Sequence, residues 1–346
     1  MVKPTIASTA AILLCALFYS FVVHRPANDI TTDDVTLKIP KRFPAPVYNF
    51  SNNRPTPLLF SLGRKLFYDP ILSKDSSISC GTCHKQIAAF SDAGLPLSKG
   101  ISGLTGTRNA PALQNLIWYN SFMWDGGVNH LEVQPISPIT NHVEMDETMA
   151  GIISKLQRNN NYRAAFNTAY GDTVINSERM LKALTQFIGL IISANSRYDR
   201  FVNNTGTLTP DEEKGMQLFR DKCANCHHEP LFTDNRFRNN GLMPDSMLKD
   251  KGRATITGLQ FDEYKFKVPS LRNVALTPPY MHDGRFKTLN EVMDHYSNPK
   301  TFAPITAKEM YEIGRLSPTE KENIIAFLNT LTDSSFITDK RFSEPD

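Results

Sequence analysis

Cys80-Gly-Thr-Cys83-His84 and Cys223-Ala-Asn-Cys226-His227 are the two stretches on which the reading of this chain turns. Each is a CxxCH motif. Two thiols three positions apart on a helical turn reach the two vinyl groups of one haem, and the adjacent His then meets the iron. CxxC also occurs in zinc sites, redox dithiols and ordinary disulfides. Two copies, each with His directly after the second Cys and no cysteine left over outside the leader, favour two covalent haem c groups over those alternatives. Cys80, Cys83, Cys223 and Cys226 are then the attachment points, with His84 and His227 as iron ligands.

The fifth cysteine, Cys15, lies within residues 5 to 23, TIASTAAILLCALFYSFVV, a run without charge between Lys3 and Arg25. That is the layout of a secretory signal or a short N-terminal anchor. No small-x-small cleavage site follows it and Leu14 is bulky for a lipoprotein signal, which tilts the expectation toward an uncleaved anchor in the inner membrane. Either way the chain is exported to the periplasm or cell envelope, where c-type haem is attached.

Working outward from each motif, the same unit appears twice. Thr56-Pro57 and then Gly63-Arg-Lys-Leu66-Phe67 precede the first, and Thr209-Pro210 and then Gly215-Met-Gln-Leu218-Phe219 precede the second. Thr209, Pro210 and Glu212 form the N-cap, first-turn proline and capping-box glutamate of a helix. Each half closes with an amphipathic pattern, Leu181, Leu184, Phe187, Ile188, Ile191 and Ile192 in one, and Ile324, Ile325, Leu328 and Leu331 after the Ser317-Pro318-Thr319-Glu320 cap in the other. A further echo sets Arg108-Asn109 before Met123-Trp124-Asp125-Gly126 beside Arg272-Asn273 before Met281-His282-Asp283-Gly284. Sustained period-two alternation is lacking, and Pro, Asn and Gly connect the helical patterns.

These features predict a mainly α protein of two cytochrome c-like haem domains related by an internal repeat, with long loops. The expected division is a leader at 1–26, a tether or strap at 27–50, an N-terminal domain at 51–202, a linker at 203–209 and a C-terminal domain at 210–346. A composition of 40% hydrophobic and 21% charged residues over 346 positions suits two cores of ordinary size. Lys3 and Arg25 supply two of the formal +3 charge, so the remainder is almost balanced, which argues against a nucleic-acid or acidic-polymer partner.

The segments YDPILS before the first CxxCH, TRNAPAL at 107–113, MWDGG at 123–127 and FKVPSLRNVALTPPYMHDGRF at 266–286 carry a resemblance over residues 45 to 335. The chain resembles the bacterial di-haem cytochrome c peroxidase family, which includes the MauG branch. The resemblance implies that the N-terminal haem reacts with hydrogen peroxide and the C-terminal haem passes electrons, with Trp124 between them. It places Gln134 and Glu144 over the peroxide-reacting iron, where a carboxylate can take a proton from one peroxide oxygen and deliver it to the other. Trp124, Gln134 and Glu144 are accordingly the candidate catalytic residues. His130 and His142 are read as surface polar groups.

Two departures from the family pattern matter. Many members carry a blocking His where this chain has Gly100, and no histidine occurs between His84 and His130, so the first haem is expected to be open without reductive activation. Many members carry a Met ligand where this chain has Tyr296, fourteen residues after His282. Tyr296 resembles the tyrosinate ligand of the MauG branch, with Met293 as the competing ligand. The resemblance further implies one calcium ion held by Asn109, Thr277 and Pro279, and a hydrogen bond from His282 to a haem propionate. The expected function is peroxide reduction to water with electrons from a small cytochrome c or cupredoxin. The rivals are MauG-like oxidation of a protein side chain and a non-enzymatic electron carrier. A homodimer is left open.

Overall fold

The computed structural model describes residues 30–303 and 306–345, so the leader lies outside the described residues. Helices dominate, and the one sheet among the described residues is a two-stranded antiparallel ladder pairing Phe237 with Lys267 and Arg238 with Phe266.

Each half is organised by a crossing of two helices. In the first, Pro57–Tyr68 crosses Ser177–Gly189; in the second, Pro210–Lys222 crosses Pro318–Asn329. Glycine is required at both crossings. A Cβ on Gly63 would lie 1.9 Å from the Ala183 carbonyl oxygen, and one on Gly215 would lie 1.8 Å from that of Asn323. Caps fix where these helices start. Thr56 Oγ accepts from Leu59 N–H, and Thr209 with Glu212 and Ser317 with Glu320 close the two expected capping boxes.

The amphipathic patterns overrun their helices. Ile191 and Leu331 lie past the helix ends yet are completely buried, and each carbonyl accepts from an asparagine of the same half. Asn115 N–H donates to Ile191 O at 2.9 Å and Asn273 N–H to Leu331 O at 3.1 Å. Both asparagines adopt left-handed backbone (φ 59° each) and begin a short 3-10 turn. This corrects the register of the internal echo. Asn115, not Asn109, is the partner of Asn273, since each stands eight residues before its methionine, Met123 or Met281. By the same register Trp124 matches His282, and Asn109 matches Lys267.

Two hydrophobic clusters result, one around Phe60, Phe67, Phe90 and Phe187, the other around Phe219, Phe232 and Phe327. Segment 35–50 packs onto the first as a strap: Val35, Phe43, Tyr48 and Phe50 are buried, Tyr48 N–H donates to Ile117 O and Trp118 Nε1 to Pro44 O. The chain's far end returns to the same cluster. Phe336 and Phe342 join it, Tyr68 Oη donates to Phe342 O at 2.6 Å and Arg64 Nη1 to Lys340 O and Arg341 O. Residues 334–345 therefore pack with the first half, although the sequence division groups them with the second. No helix among the described residues is long and apolar enough to cross a membrane.

Candidate functional site

Both CxxCH motifs are held in one way. Cys80–Cys83 forms a single helical turn capped by Ser79 and Thr82, and His84 follows as its C-cap. His84 Nδ1 donates to Phe90 O at 2.9 Å; His227 Nδ1 donates to Phe232 O at 3.1 Å. Phe90 and Phe232 reach those histidines through left-handed backbone (φ 59° and 55°). A second carbonyl faces each ring, from Pro111 and Pro269, residues related by the repeat. Burial holds both imidazoles below their ordinary pKa, so they are neutral, and Nδ1 donation leaves Nε2 as a lone-pair donor to a metal.

No disulfide joins the cysteines of either motif. Burial pushes the thiols up, Cys80 and Cys223 to about 12 and Cys83 and Cys226 to about 11, the opposite of the depressed pKa that a reactive dithiol requires. Beside the second motif lies an apolar cavity of about 250 Å³, lined by Cys223, Cys226, His227, Met293 and Tyr296 and reaching Trp124, Gln134 and Asn109 at its other end. Paired neutral thiols, an oriented imidazole and an apolar slot fit haem c.

In the first half the chain about Gly100 packs on the chain about Glu144. Gly100 has no positive φ; it is glycine because the chain at Val143 and Glu144 passes against it. A Cβ there would lie 2.2 Å from Val143 O and 2.6 Å from Glu144 Cα, and the neighbouring Ile101 N–H donates to Glu144 O at 2.8 Å. Glu144 is half-buried, and desolvation raises its carboxyl above the ordinary value against a bond from Asn141 Nδ2 to Oε1 of 2.9 Å. Its charge acts on Cys83, pushing that thiol upward, which places it beside the first motif. Gln134 lines the cavity with its Nε2 3.8 Å from Met123 Sδ. Trp124 Nε1 donates to Asn109 O at 2.8 Å, and Trp124 O accepts from Lys267 N–H at 2.7 Å. His142 and His130 are exposed, the latter accepting from Glu132 N–H.

In the second half the helix Leu289–Tyr296 brings Met293 and Tyr296 to the cavity that His227 also lines. Burial is the main cause raising the Tyr296 phenol to about 12, with the nearby Cys226 and Cys223 sulfurs adding to it and a side-chain bond with Asn240 opposing it. Asn240 also donates from Nδ2 to Met281 Sδ at 3.3 Å, and its carbonyl accepts from His295 Nε2 at 2.9 Å.

His282 stacks on Phe266, ring centroids 3.6 Å apart, and burial pushes it down to about 4 despite the nearby Asp283 and Asp250. Asn109 Nδ2 donates to Leu95 O and Pro96 O at 3.1 Å each. Two carbonyl partners fix the amide's orientation and turn Oδ1 the other way. Asn109 N–H donates to His282 O at 2.7 Å, and Thr277 and Pro279 line the same cavity, so the structure brings the three expected cation-holding residues to one wall. Sequence reasoning did not single out Asn141, Asn240 or Lys267. Their parts depend on contacts across the fold, and no local pattern marks them.

A family model described as di-haem cytochrome c peroxidase matches residues 57–207, and one described as cytochrome c matches 212–332. The chain is 34% identical over 304 residues to a methylamine utilization protein MauG of Methylophilus methylotrophus, covering 85% of this chain and 87% of that protein. It is 32% identical to a cytochrome c551 peroxidase of Pseudomonas aeruginosa, covering 78% of each. Among solved structures, a MauG-like protein associated with microbial copper homeostasis matches with a TM-score of 0.82 at 32% identity, covering 89% of this chain and 98% of that one.

Proposed function

The chain belongs to the di-haem cytochrome c peroxidase family, and from that premise we propose that it reduces hydrogen peroxide to water at its first half. Electrons enter through the second half from a small cytochrome c or cupredoxin. The observation that carries this reading is the contact of Gly100 with Glu144: the segment where other members supply a blocking ligand has no room for a side chain and instead packs against a half-buried carboxyl residue.

Two haem c groups, attached through Cys80, Cys83, Cys223 and Cys226 with His84 and His227 as ligands, supply the iron that exchanges electrons with peroxide and donor. Glu144 handles the proton. Asn141 occupies Oε1, which leaves Oε2 to take a proton from one peroxide oxygen and pass it to the leaving one. A raised carboxyl pKa suits that exchange, because a group that both accepts and gives works best near the ambient pH. Gln134 offers a second polar contact to peroxide, and Trp124, bonded to both Asn109 and Lys267, couples the two halves. Two further protons and two electrons complete the conversion of one peroxide to two waters.

In the second half Tyr296 would ligate the haem iron, a role supported by its place on the cavity wall and its nearness to the Cys223 and Cys226 sulfurs. His282 would donate to a haem propionate. Asn109 Oδ1 and the carbonyls of Thr277 and Pro279 would hold a calcium ion, an all-oxygen set suited to that hard cation. The charge-free run at 5–23 and covalent haem support export to the periplasm or cell envelope. Tyr296 also favours a second reading, peroxide-driven oxidation of a side chain on a partner protein.

The test is the electron paramagnetic resonance spectrum of the ferric holoprotein before and after one equivalent of peroxide, with turnover on a reduced small cytochrome c. A high-spin signal abolished by peroxide, with steady donor oxidation, is expected. Loss of the signal with negligible donor oxidation selects the second reading, and two unreactive low-spin signals would overturn both.

A further inference from the structure

We propose that the Lys267 ammonium is the counter-ion of a propionate on the haem attached at Cys223 and Cys226, and so a positioning residue that sets the potential of the second half. The inference rests on the di-haem reading above. Lys267 ends the short strand Phe266–Lys267 and its side chain lines the cavity that contains Cys223, Cys226, His227 and Tyr296.

Four cationic side chains line that cavity, and three have polar partners. Lys222 Nζ donates to Ile313 O at 3.0 Å, Arg238 pairs with Asp234 and Glu309, and Arg272 pairs with Asp199. Lys267 has none among the described residues. Its Nζ lies over the face of the Tyr119 ring, 4.2 Å from the centroid. Burial alone, with no carboxylate nearby, pushes its amine down to about 7. An ammonium facing an apolar cavity is costly unless an anion meets it, and a tyrosine face gives only part of that compensation. A haem carries two propionates, which is the anion this slot lacks.

The internal repeat gives a second, independent reason. Lys267 occupies the place of Asn109, and the two make the same main-chain bond, each N–H donating at 2.7 Å to the residue that matches across the halves, Trp124 O for Lys267 and His282 O for Asn109. At this position the first half carries an amide, held by the Leu95 and Pro96 carbonyls, and the second half carries an amine. The ring beneath Lys267 is Tyr119, which the same register matches to Thr277.

A cation beside a haem disfavours the ferric state, which has one more positive charge than the ferrous, so removing it must lower the reduction midpoint. The experiment compares holoprotein of the wild type, Lys267→Met and Lys267→Arg by spectroelectrochemical titration of the low-spin haem, with covalent haem content measured in each. In Lys267→Met the reduced-to-oxidised ratio at fixed potential should fall tenfold or more, about 59 mV for a one-electron couple. Lys267→Arg should stay within twofold. Loss of the second haem from Lys267→Met alone, with Lys267→Arg keeping both, also supports the pairing. Should Lys267→Met fail to accumulate, Lys267→Gln is read by the same criteria. A midpoint within twofold of wild type, with both haems present, would overturn the inference and leave the di-haem reading intact. A wild-type chain without covalent haem would overturn both.

Discussion

Beneath their histidines the two halves are built to one plan, with Nδ1 of His84 and His227 tied to Phe90 and Phe232 and a proline carbonyl beside each ring. Away from the histidines they diverge. The first half offers Gly100 against the Glu144 backbone, whereas the second offers a helix carrying Met293 and Tyr296. A duplicated scaffold has thus kept the seats of its two histidines and changed another part, and on the di-haem reading proposed above that difference decides between chemistry and electron transfer.

The sharpest way to break this comparison is Glu144→Gln. It should lower kcat/KM for peroxide by about 10²- to 10⁴-fold in steady-state assays while leaving the spectrum of the second half unchanged. The acidic limb of the wild-type profile should lie above pH 4.5, because the carboxyl is raised and activity needs its ionised form; the variant should lack that limb. Gly100→Ala should push the Glu144 segment outward and reduce the same kinetic parameter by about tenfold to a hundredfold, the range of about 1–3 kcal/mol for overpacking. Gly106→Ala, 4.0 Å from its nearest neighbour, should be silent in that assay and serves as its control.

The shared plan is tested by Gly63→Ala and Gly215→Ala. Each should cost about 1–3 kcal/mol in chemical denaturation, and a large inequality between them would show that the crossings are not equivalent. Tyr296→Phe should raise the low-spin midpoint by the equivalent of about tenfold and alter only that haem's resonance signal. An unchanged signal would transfer the ligand role to Met293.

The parts of this molecule legible in the sequence are those set by neighbours along the chain. The CxxCH turns and the caps at Thr209 and Ser317 are local chemistry, and the structure has them where the spacing puts them, whereas the need for glycine at 63 and 215 comes from Ala183 and Asn323 across the helix crossings. The register of the repeat was misread because Arg-Asn occurs at 108–109 and again at 272–273, while the left-handed asparagine that begins the 3-10 turn is preceded by Gln114 in one half and Arg272 in the other. The constant spacing to Met123 and Met281 was the better signal. Ile191 and Leu331 extended their patterns past the helix ends because burial is periodic only while the helix lasts. Lys267 was invisible as an isolated charge: its sequence neighbours are ordinary, and its want of a partner belongs to the cavity.

The returning C-terminal segment has a consequence for how the molecule fails. Arg341 Nη1 donates to Asp34 O at 3.0 Å and Phe342 sits in the first cluster, so the two ends of the described chain are stitched together with the second half looped between them. Neither half can shed its interior while the other stays whole, because melting the second releases the aromatic residues that seal the first. Heat should therefore meet one cooperative unit, and what the duplication made as two lobes should be lost in a single endotherm.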